Sequence, residues 1–346
     1  MSNLKMAVIG TGALGRHHAR ILSQMAGVEL VAVADANAAA AAQVAANCHT
    51  SATSDFRELL GQVQAVVVAV PTFAHHAVVA EFLTAGVDVL VEKPIAATVD
   101  EARDMVELAK LGSRILAVGH VERFNPALAA AKPFLTAPKY LKIERYAPFS
   151  FRSTDIGAVH DLMIHDIDLA LSLIDVPVAD VQAFGTSILT DREDCVNARL
   201  TFVNGAVADL SVNRVSPVVS RTLQAWNAEG CTHIDLQTRD VTHYTKSPRL
   251  MYGKSPVDRA REPGADIEKL KQEIFGSFIE VQKPTVAAGD QLTAELASFA
   301  DAVQTRRPPV VDGTAALAAM EVAQQVLERV AAAPWNLASS SQRRAG

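Results

Sequence analysis

The chain has 346 residues, of which 49% are hydrophobic, and its formal net charge is −6. That length is enough for two domains with buried cores, and the negative charge without a basic block argues against a nucleic acid or an anionic membrane as partner. The three cysteines, Cys48, Cys195 and Cys231, lie far apart, which excludes a CxxC metal site and is typical of a reducing compartment. With no leader-peptide pattern and no apolar run of membrane-spanning length, the sequence predicts a cytoplasmic protein.

Short apolar runs alternate with longer helical segments over the first third of the chain. The runs are nearly continuous and rich in Val and Ile, as buried parallel strands are. The predicted strands are Lys5–Ile9, Glu29–Ala34, Ala65–Val70, Val87–Val91 and Arg114–Val118. The predicted helices are Ala13–Met25, Ala36–Ala46, His75–Ala85 and Val99–Leu111. This alternation predicts a doubly wound α/β domain with a parallel sheet over residues 1–120.

The pattern changes after about residue 120. Helices are predicted at Asn125–Phe134 and Ala158–Ile174, and strands at Tyr140–Tyr146, Val178–Ser187, Cys195–Phe202, Ala206–Val212, Arg221–Ala228 and Thr232–Leu236. The pairs Asn204-Gly205 and Glu229-Gly230 separate neighbouring strands and indicate hairpins. We therefore expect a second α/β domain with a large, open, mostly antiparallel sheet over residues 121–335.

Three features complete the chain. The polar, proline-bearing segment Lys246–Gly264 is predicted to be a long loop or lid. Helices are predicted at Leu292–Thr305 and Thr314–Ala332, and residues 336–346 are predicted to be a flexible tail.

A glycine-rich turn follows the first predicted strand. The turn has the pattern GxGxxG and consists of Gly10, Thr11, Gly12, Ala13, Leu14 and Gly15. In a strand–turn–helix context it is the fingerprint of a dinucleotide site, where backbone N–H groups at the helix start face the pyrophosphate. A plain glycine-rich turn is the simpler alternative.

Asp35 ends the second predicted strand, twenty residues beyond Gly15. An acidic residue there accepts hydrogen bonds from the adenine ribose and repels a 2′-phosphate. Ala36 and Asn37 follow, so no arginine stands beside it to receive that phosphate. The sequence therefore predicts NAD rather than NADP as the cofactor.

Two further turns follow predicted strands. Pro71, Thr72 and His75 come after the third strand and would line the cofactor crevice, although His75 could instead be exposed. Glu92, Lys93 and Pro94 follow the fourth, where proline would hold Lys93 rigidly beside a ligand. An ordinary strand-ending loop with a solvated Glu–Lys pair is the alternative for Lys93.

The predicted helix Ala158–Ile174 carries a His-Asp cluster. Asp161 and His165 are four residues apart and share one helical face. Histidine is suited to exchange a proton with a hydroxyl near neutral pH, and the aspartate could orient it. A metal-binding cluster of phosphohydrolase type and a capped surface helix with incidental charges are the alternatives. The metal site lacks a second His-Asp pair, so no metal is predicted.

The order of these motifs resembles the Gfo/Idh/MocA family of NAD(P)-dependent sugar and cyclitol oxidoreductases. The resemblance spans about residues 4–332 and implies a Rossmann domain, a C-terminal domain with an open sheet, and oligomers built on that sheet. It implies that Lys93 and His165 are catalytic, that Asp161 lies in the active site, and that Glu92 and Lys93 also contact the cofactor. It further implies a cis Lys93–Pro94 bond.

The run from Gly119 to Pro126, GHVERFNP, is similar to a subgroup of the family that includes UDP-N-acetylglucosamine 3-dehydrogenases. Arg123 could grip a phosphate or sugar oxygen through its planar fork, or it could form a structural ion pair with Glu122. Arg123 and Asn125 are taken as substrate-binding candidates together with Lys93, Asp161 and His165.

The sequence thus predicts an NAD-dependent dehydrogenase that oxidises a secondary hydroxyl of a sugar, with a nucleotide-linked amino sugar favoured. An inositol or free-sugar dehydrogenase is the alternative within the family, and a non-catalytic NAD-bound sensor or scaffold is the alternative of another class. One sheet face in the second half lacks predicted covering helices, and a bare apolar face marks an interface. A homodimer or homotetramer is therefore expected.

Overall fold

The computed structural model describes residues 3–151 and 156–333. They form two compact units, of which the first comprises described residues 3–124 and 289–325 and the second comprises the others. Residues 289–325 therefore group with the first unit, whereas the sequence pattern placed them in the second domain. The predicted tail, 336–346, lies outside the described residues.

The first unit is built on a parallel sheet of six strands. They are β1 (Leu4–Ile9), β2 (Val28–Ala34), β3 (Ser51–Thr53), β4 (Ala65–Val68), β5 (Asp88–Glu92) and β6 (Leu116–Gly119). The strand order is β3-β2-β1-β4-β5-β6, and every neighbouring pair is parallel. This is the doubly wound Rossmann order, which confirms the predicted fold class. The strand β3 was missed because three small residues form no apolar run.

Helices connect these strands. They are α1 (Gly15–Leu22), α2 (Ala38–Cys48), α3 (His75–Thr84) and α4 (Val99–Leu111). Capping decides where two of them begin. Asn37 accepts hydrogen bonds from two N–H groups at the start of α2, and Thr98 and Glu101 form a capping box on α4.

The second unit is built on a sheet of eight strands. Its elements, in chain order, are α5 (Pro126–Ala131), β7 (Tyr140–Tyr146), α6 (Ile164–Ile174), β8 (Val178–Thr186), β9 (Cys195–Phe202), β10 (Val207–Asn213), β11 (Ser220–Trp226), β12 (Gly230–Asp235), β13 (Asp240–Lys246), α7 (Pro248–Tyr252), α8 (Pro256–Ala260), α9 (Ile267–Glu273) and β14 (Ile279–Gln282). The order is β14-β13-β12-β11-β7-β10-β9-β8, and only the pairing of β7 with β10 is parallel. The predicted, mostly antiparallel sheet is confirmed.

The segment predicted as a loop, Lys246–Gly264, instead contains the short helices α7 and α8. Ser247 and Ser255 cap them, and a proline occupies the first turn of each. Ser followed by Pro is a helix-start signal because proline's fixed φ suits the first helical position. The prediction of a long loop was therefore wrong.

One face of the second sheet is not apolar, contrary to the expectation from strand alternation. Its outward positions carry ion pairs, with Arg199 bound to Asp209 at 2.7 Å and Lys142 to Glu144 at 3.0 Å. The Tyr140 hydroxyl donates to Asp209 at 2.7 Å. The opposite, inward positions of β7 and β10 are the buried ones, because α6 packs there. The outward face is thus polar and aromatic.

Two helices close the described chain, α10 (Gln291–Thr305) and α11 (Gly313–Ala331). Leu296, Phe299 and Val303 on α10 belong to the hydrophobic core of the first unit, together with β1 and β4. Burying these side chains contributes roughly 1.5–3 kcal/mol each. This packing is why α10 groups with the first unit despite its distance along the chain.

Candidate functional site

The predicted cofactor residues of the first unit all follow the carboxyl ends of neighbouring strands. The glycine-rich turn follows β1, Asp35 follows β2, the Pro71 turn follows β4, and Glu92 ends β5 with Lys93 directly after it. Because the sheet is parallel, these ends lie along one edge. Ligands of open α/β sheets bind in the crevice at this edge. The structure therefore brings these residues together.

The glycine-rich turn needs its glycines at three positions for different reasons. Gly10 has φ +93°, and a Cβ there would lie 2.5 Å from the Ala69 carbonyl oxygen. A Cβ at Gly15 would overlap the Gly10 carbonyl oxygen. A Cβ at Gly12 would meet no heavy atom within 4 Å in the described chain, so the space over Gly12 is open. Gly10 and Gly15 are therefore required by the fold, whereas Gly12 leaves room for a ligand.

Asp35 is held in place by the glycine-rich turn. Its Oδ2 accepts hydrogen bonds from the Thr11 N–H at 2.7 Å and the Thr11 hydroxyl at 2.8 Å, and its Oδ1 accepts one from the Asn37 N–H at 2.9 Å. Partial burial raises the pKa of Asp35, but these three donors outweigh it and hold the pKa below its ordinary value. The carboxylate is therefore ionised near neutral pH and has a defined orientation.

His75 connects two turns at the strand edge. Its imidazole is 1% exposed, with Nε2 at 2.9 Å from the Val70 carbonyl and Nδ1 at 3.0 Å from the Pro94 carbonyl. Burial lowers the pKa of His75, although both carbonyl contacts oppose this. The side chain therefore positions the turn that contains Lys93, whose bond to Pro94 is cis as the family resemblance implies.

Glu92 does not extend into the crevice as an exposed residue would. Its side chain is buried, and its Oε1 lies 2.7 Å from Nε2 of His18 on α1. His18 was not predicted from the sequence. A histidine on the inward face of an otherwise apolar helix turn is the signal that could have found it.

In the second unit the His-Asp cluster lies where a turn of π-helix, Val159–Met163, continues into α6. Asp161 is in this turn and His165 is in the first turn of α6, with the His165 side chain almost fully buried. π-Helical turns are frequent at functional sites. The capped-surface-helix alternative is inconsistent with this burial.

A buried ion pair lies beside His165 in the chain. Asp166, 0% exposed, accepts hydrogen bonds from Nε and Nη2 of Arg145 at 3.0 and 2.7 Å. Breaking such a pair leaves a buried charge, which typically costs about 3–5 kcal/mol. The pair fixes α6 on β7. This pair was not predicted from the sequence because residues 145 and 166 lie in different elements.

Asn125 has a structural role that the sequence did not reveal. It is 1% exposed, its Oδ1 accepts from the Ala127 N–H at 3.0 Å, and its Nδ2 donates to the Leu236 carbonyl at 2.9 Å. It therefore caps α5 and ties it to the end of β12.

Arg123 belongs to the first unit and is half-buried. The substrate-binding roles of both residues stay predictions.

Neither a metal cluster nor a membrane span is found in the described residues. No group of three or more His, Cys, Asp and Glu side chains there could hold a metal ion. Within the same ranges no helix is long and apolar enough to cross a membrane.

Known proteins match both halves of the chain. The model of the GFO/IDH/MocA oxidoreductase family, with an NAD-binding Rossmann fold, matches residues 4–120, and the model of the GFO/IDH/MocA C-terminal domain matches residues 99–230. UDP-N-acetylglucosamine 3-dehydrogenase of Acidithiobacillus ferrooxidans is 34% identical over 330 residues, which cover 94% of this chain and 97% of that protein. The chain belongs to the Gfo/Idh/MocA family of oxidoreductases.

Two further members show the range of the family. A solved structure of UDP-N-acetylglucosamine 3-dehydrogenase from the same organism has a TM-score of 0.83 and 33% identity, and covers 95% of this chain and 98% of that one. The scyllo-inositol 2-dehydrogenase (NAD(+)) of Bacillus subtilis is 30% identical over 233 residues, or 62% of this chain and 68% of that protein. These relatives are dehydrogenases, so this Gfo/Idh/MocA member is an enzyme and the sensor alternative is not supported.

The strand edge of the first unit fits the NAD of this family. The open space over Gly12 gives the pyrophosphate room, and among the described residues no side chain caps the first turn of α1. The free end of a helix dipole favours a phosphate. The ionised Asp35 can accept hydrogen bonds from the ribose hydroxyls.

Asp35 is expected to make NAD the preferred cofactor, with a dissociation constant on the order of tenfold or more below that of NADP, or about 1.4 kcal/mol. The reason is repulsion between its carboxylate and a 2′-phosphate. Isothermal titration with each cofactor measures the ratio. Asp35→Ser should bring the dissociation constants of NAD and NADP closer together. Glu29→Gln, at the opposite end of β2, should leave their ratio unchanged. Equal affinities in the unmodified protein would refute this role.

Proposed function

We propose that the enzyme oxidises a secondary hydroxyl of a nucleotide-linked amino sugar, with UDP-N-acetylglucosamine as the favoured substrate and position 3 as the favoured carbon. The observation that carries the proposal is similarity over nearly the full length of both chains to a UDP-N-acetylglucosamine 3-dehydrogenase. The inositol dehydrogenase matches a shorter part of this chain. We also propose that the enzyme works in the cytoplasm, as the cysteine usage predicts.

Each candidate residue has a defined task in this proposal. His165 accepts the hydroxyl proton, because a neutral imidazole is a suitable base near neutral pH. Lys93 donates a hydrogen bond to the reacting oxygen and stabilises its developing negative charge. Asp161 orients His165 or holds a neighbouring hydroxyl. NAD, when bound, accepts the hydride, and the chain holds the reacting carbon in line for that transfer.

The remaining candidates bind rather than react. Arg123 is proposed to contact a phosphate or sugar oxygen, for which its planar fork is suited. Asn125 is proposed to act through the segment that it caps. Thr72 and Pro71 are proposed to line the nicotinamide part of the cofactor site.

A substrate screen tests the function. Reduction of NAD should be followed with UDP-N-acetylglucosamine, other UDP-sugars, free sugars and inositols. The proposal expects the largest kcat/KM with UDP-N-acetylglucosamine and a much lower value with free N-acetylglucosamine, which lacks the nucleotide. The highest value with an inositol would instead establish the second candidate, which the inositol dehydrogenase relatives favour.

We propose that the outward face of the second sheet forms the contact of a homodimer or homotetramer. Phe184 is 51% exposed beside a shallow cavity of about 540 Å³ on this face, which Tyr146 and Arg199 also line. Aromatic residues and arginine are enriched in interfaces.

Sedimentation at micromolar concentration should show an oligomer, and Phe184→Asp should shift it toward monomer. Glu107→Gln, exposed on α4, is the control. A monomeric unmodified protein would exclude the assembly.

A further inference from the structure

Three ionisable side chains are buried together in the first unit. His18 on α1 is 0% exposed, Glu92 at the end of β5 is 8% exposed, and Glu295 on α10 is 2% exposed. Nε2 of His18 lies 2.7 Å from Oε1 of Glu92, whose Oε2 accepts the Lys93 N–H at 3.3 Å. The Glu92 carboxylate thus links the strand end that carries Lys93 to the helix that follows the glycine-rich turn.

Glu295 differs from Glu92 in its surroundings. Neither of its carboxyl oxygens has a hydrogen-bond partner among the described residues. A buried carboxylate without a partner is very costly, so the group takes up a proton instead. Burial, and next the charge of Glu92, raise the pKa of Glu295 well above its ordinary value. For Glu92 burial acts in the same direction, but the hydrogen bond and charge of His18, and then the charge of Lys93, hold its pKa below the ordinary value.

Other ionisable groups lie on the elements packed around this cluster. They are Arg16, His17 and Arg20 on α1, Asp88 and Lys93 with β5, His120, Glu122 and Arg123 after β6, and Asp290 and Asp301 with α10. His120 and Glu122 are buried, and each interacts with other groups. The three on α1 and Asp301 are exposed, and Asp88 is bound by Arg306. The charge of Glu92 acts on the pKa of Glu295 and raises it.

We propose that His18, Glu92 and Glu295 are a buried positioning cluster for Lys93, in which Glu295 remains a neutral acid and Glu92 is the anion. Two buried carboxylates at this place would repel each other. Because Glu295 stays neutral, Glu92 keeps its contact with His18 and fixes the strand end beside α1. The inference rests on the catalytic role proposed above for Lys93, and its first test does not use that role.

Infrared difference spectroscopy tests the protonation state of Glu295 without any substrate. The spectrum of the wild-type protein at neutral pH should contain the C=O stretch of a protonated carboxyl group, and Glu295→Gln should remove it. Glu107→Gln, an exposed glutamate on α4, should leave it in place. Glu295→Met, also uncharged and similar in length, provides the same comparison if the glutamine variant does not fold. A spectrum without this band, or a band that survives both Glu295 variants, would overturn the proposal.

Thermal unfolding gives a second readout with a defined sign. A raised pKa means that the folded protein holds a proton on Glu295 that the unfolded chain loses above about pH 4.3. The stability contributed by this proton therefore falls as pH rises. The stability of Glu295→Gln lacks this dependence on pH. The Tm of Glu295→Gln relative to wild type should rise between pH 5 and pH 8. A Tm difference that is constant over this range would contradict the neutral acid.

The positioning role is tested by turnover on whichever substrate the wild-type enzyme oxidises. Glu92→Gln should lower kcat on the order of ten- to a hundredfold, because displacement of a reacting group lowers the rate by about this factor. The same variant should shift the alkaline limb of the kcat–pH profile to lower pH. Glu295→Gln should leave that profile unchanged. An unchanged profile in Glu92→Gln would refute positioning. Full activity in Lys93→Met would refute the proposed function instead, and the infrared result would stand.

Discussion

Replacing His165 by alanine is expected to lower kcat by a factor on the order of 10²–10⁴, the usual contribution of a general acid–base group. The affinity for NAD should stay nearly unchanged, because the predicted cofactor residues lie in the first unit and His165 lies on α6 of the second. Single-turnover hydride transfer, followed by NADH absorbance, separates this chemical step from product release.

Ser172→Ala is the matched control for His165→Ala. Ser172 lies on the same helix and donates only to the Leu169 carbonyl among the bonds described, so its loss perturbs α6 without removing the proposed base. Wild-type rates in His165→Ala, on a substrate that the native enzyme oxidises, would refute the mechanism. Activity that falls with a chelator and returns with added metal would instead support the metal alternative.

Lys93→Met is the second change with a large expected effect. It keeps the length and bulk of the side chain but removes the donor to the reacting oxygen, and loss of one such donor typically costs about 10²–10³ in kcat. The control is Lys110→Met, an exposed lysine at the end of α4 in the same unit. A kcat within twofold of wild type would exclude Lys93 from the chemical step.

The two changes should not be additive. If His165 and Lys93 act on one oxygen, the double variant should lose little more than the more damaging single variant. Fully multiplicative losses would mean that the two residues act in separate steps. Asp161→Asn distinguishes two roles of Asp161. It should lower kcat less than His165→Ala does if Asp161 only orients the imidazole, and it should raise KM if Asp161 holds the substrate.

Local sequence patterns determined the fold of the first unit and the positions of its predicted cofactor residues. The strand–turn–helix context made the GxGxxG turn recognisable, although the space that Gly10 requires is set by Ala69, which is distant in the chain. Asp35 was predicted in the same way, because it directly follows a strand at a fixed distance from the turn. Hydrophobic patterning likewise predicted Tyr140–Tyr146 and Cys195–Phe202 with their observed bounds.

The tertiary structure decided what depends on residues far apart in the chain. The sequence contains Glu92 and Glu295, but only the packing of α10 on the first unit makes them neighbours in a buried environment. The same holds for Arg145 and Asp166, which compensate each other's charge across two elements. Burial and the partner's charge set the ionisation of such groups, and both are properties of the folded chain. Sequence patterns therefore predicted which residues could react, and the packing determined which of them are charged and what holds them in place.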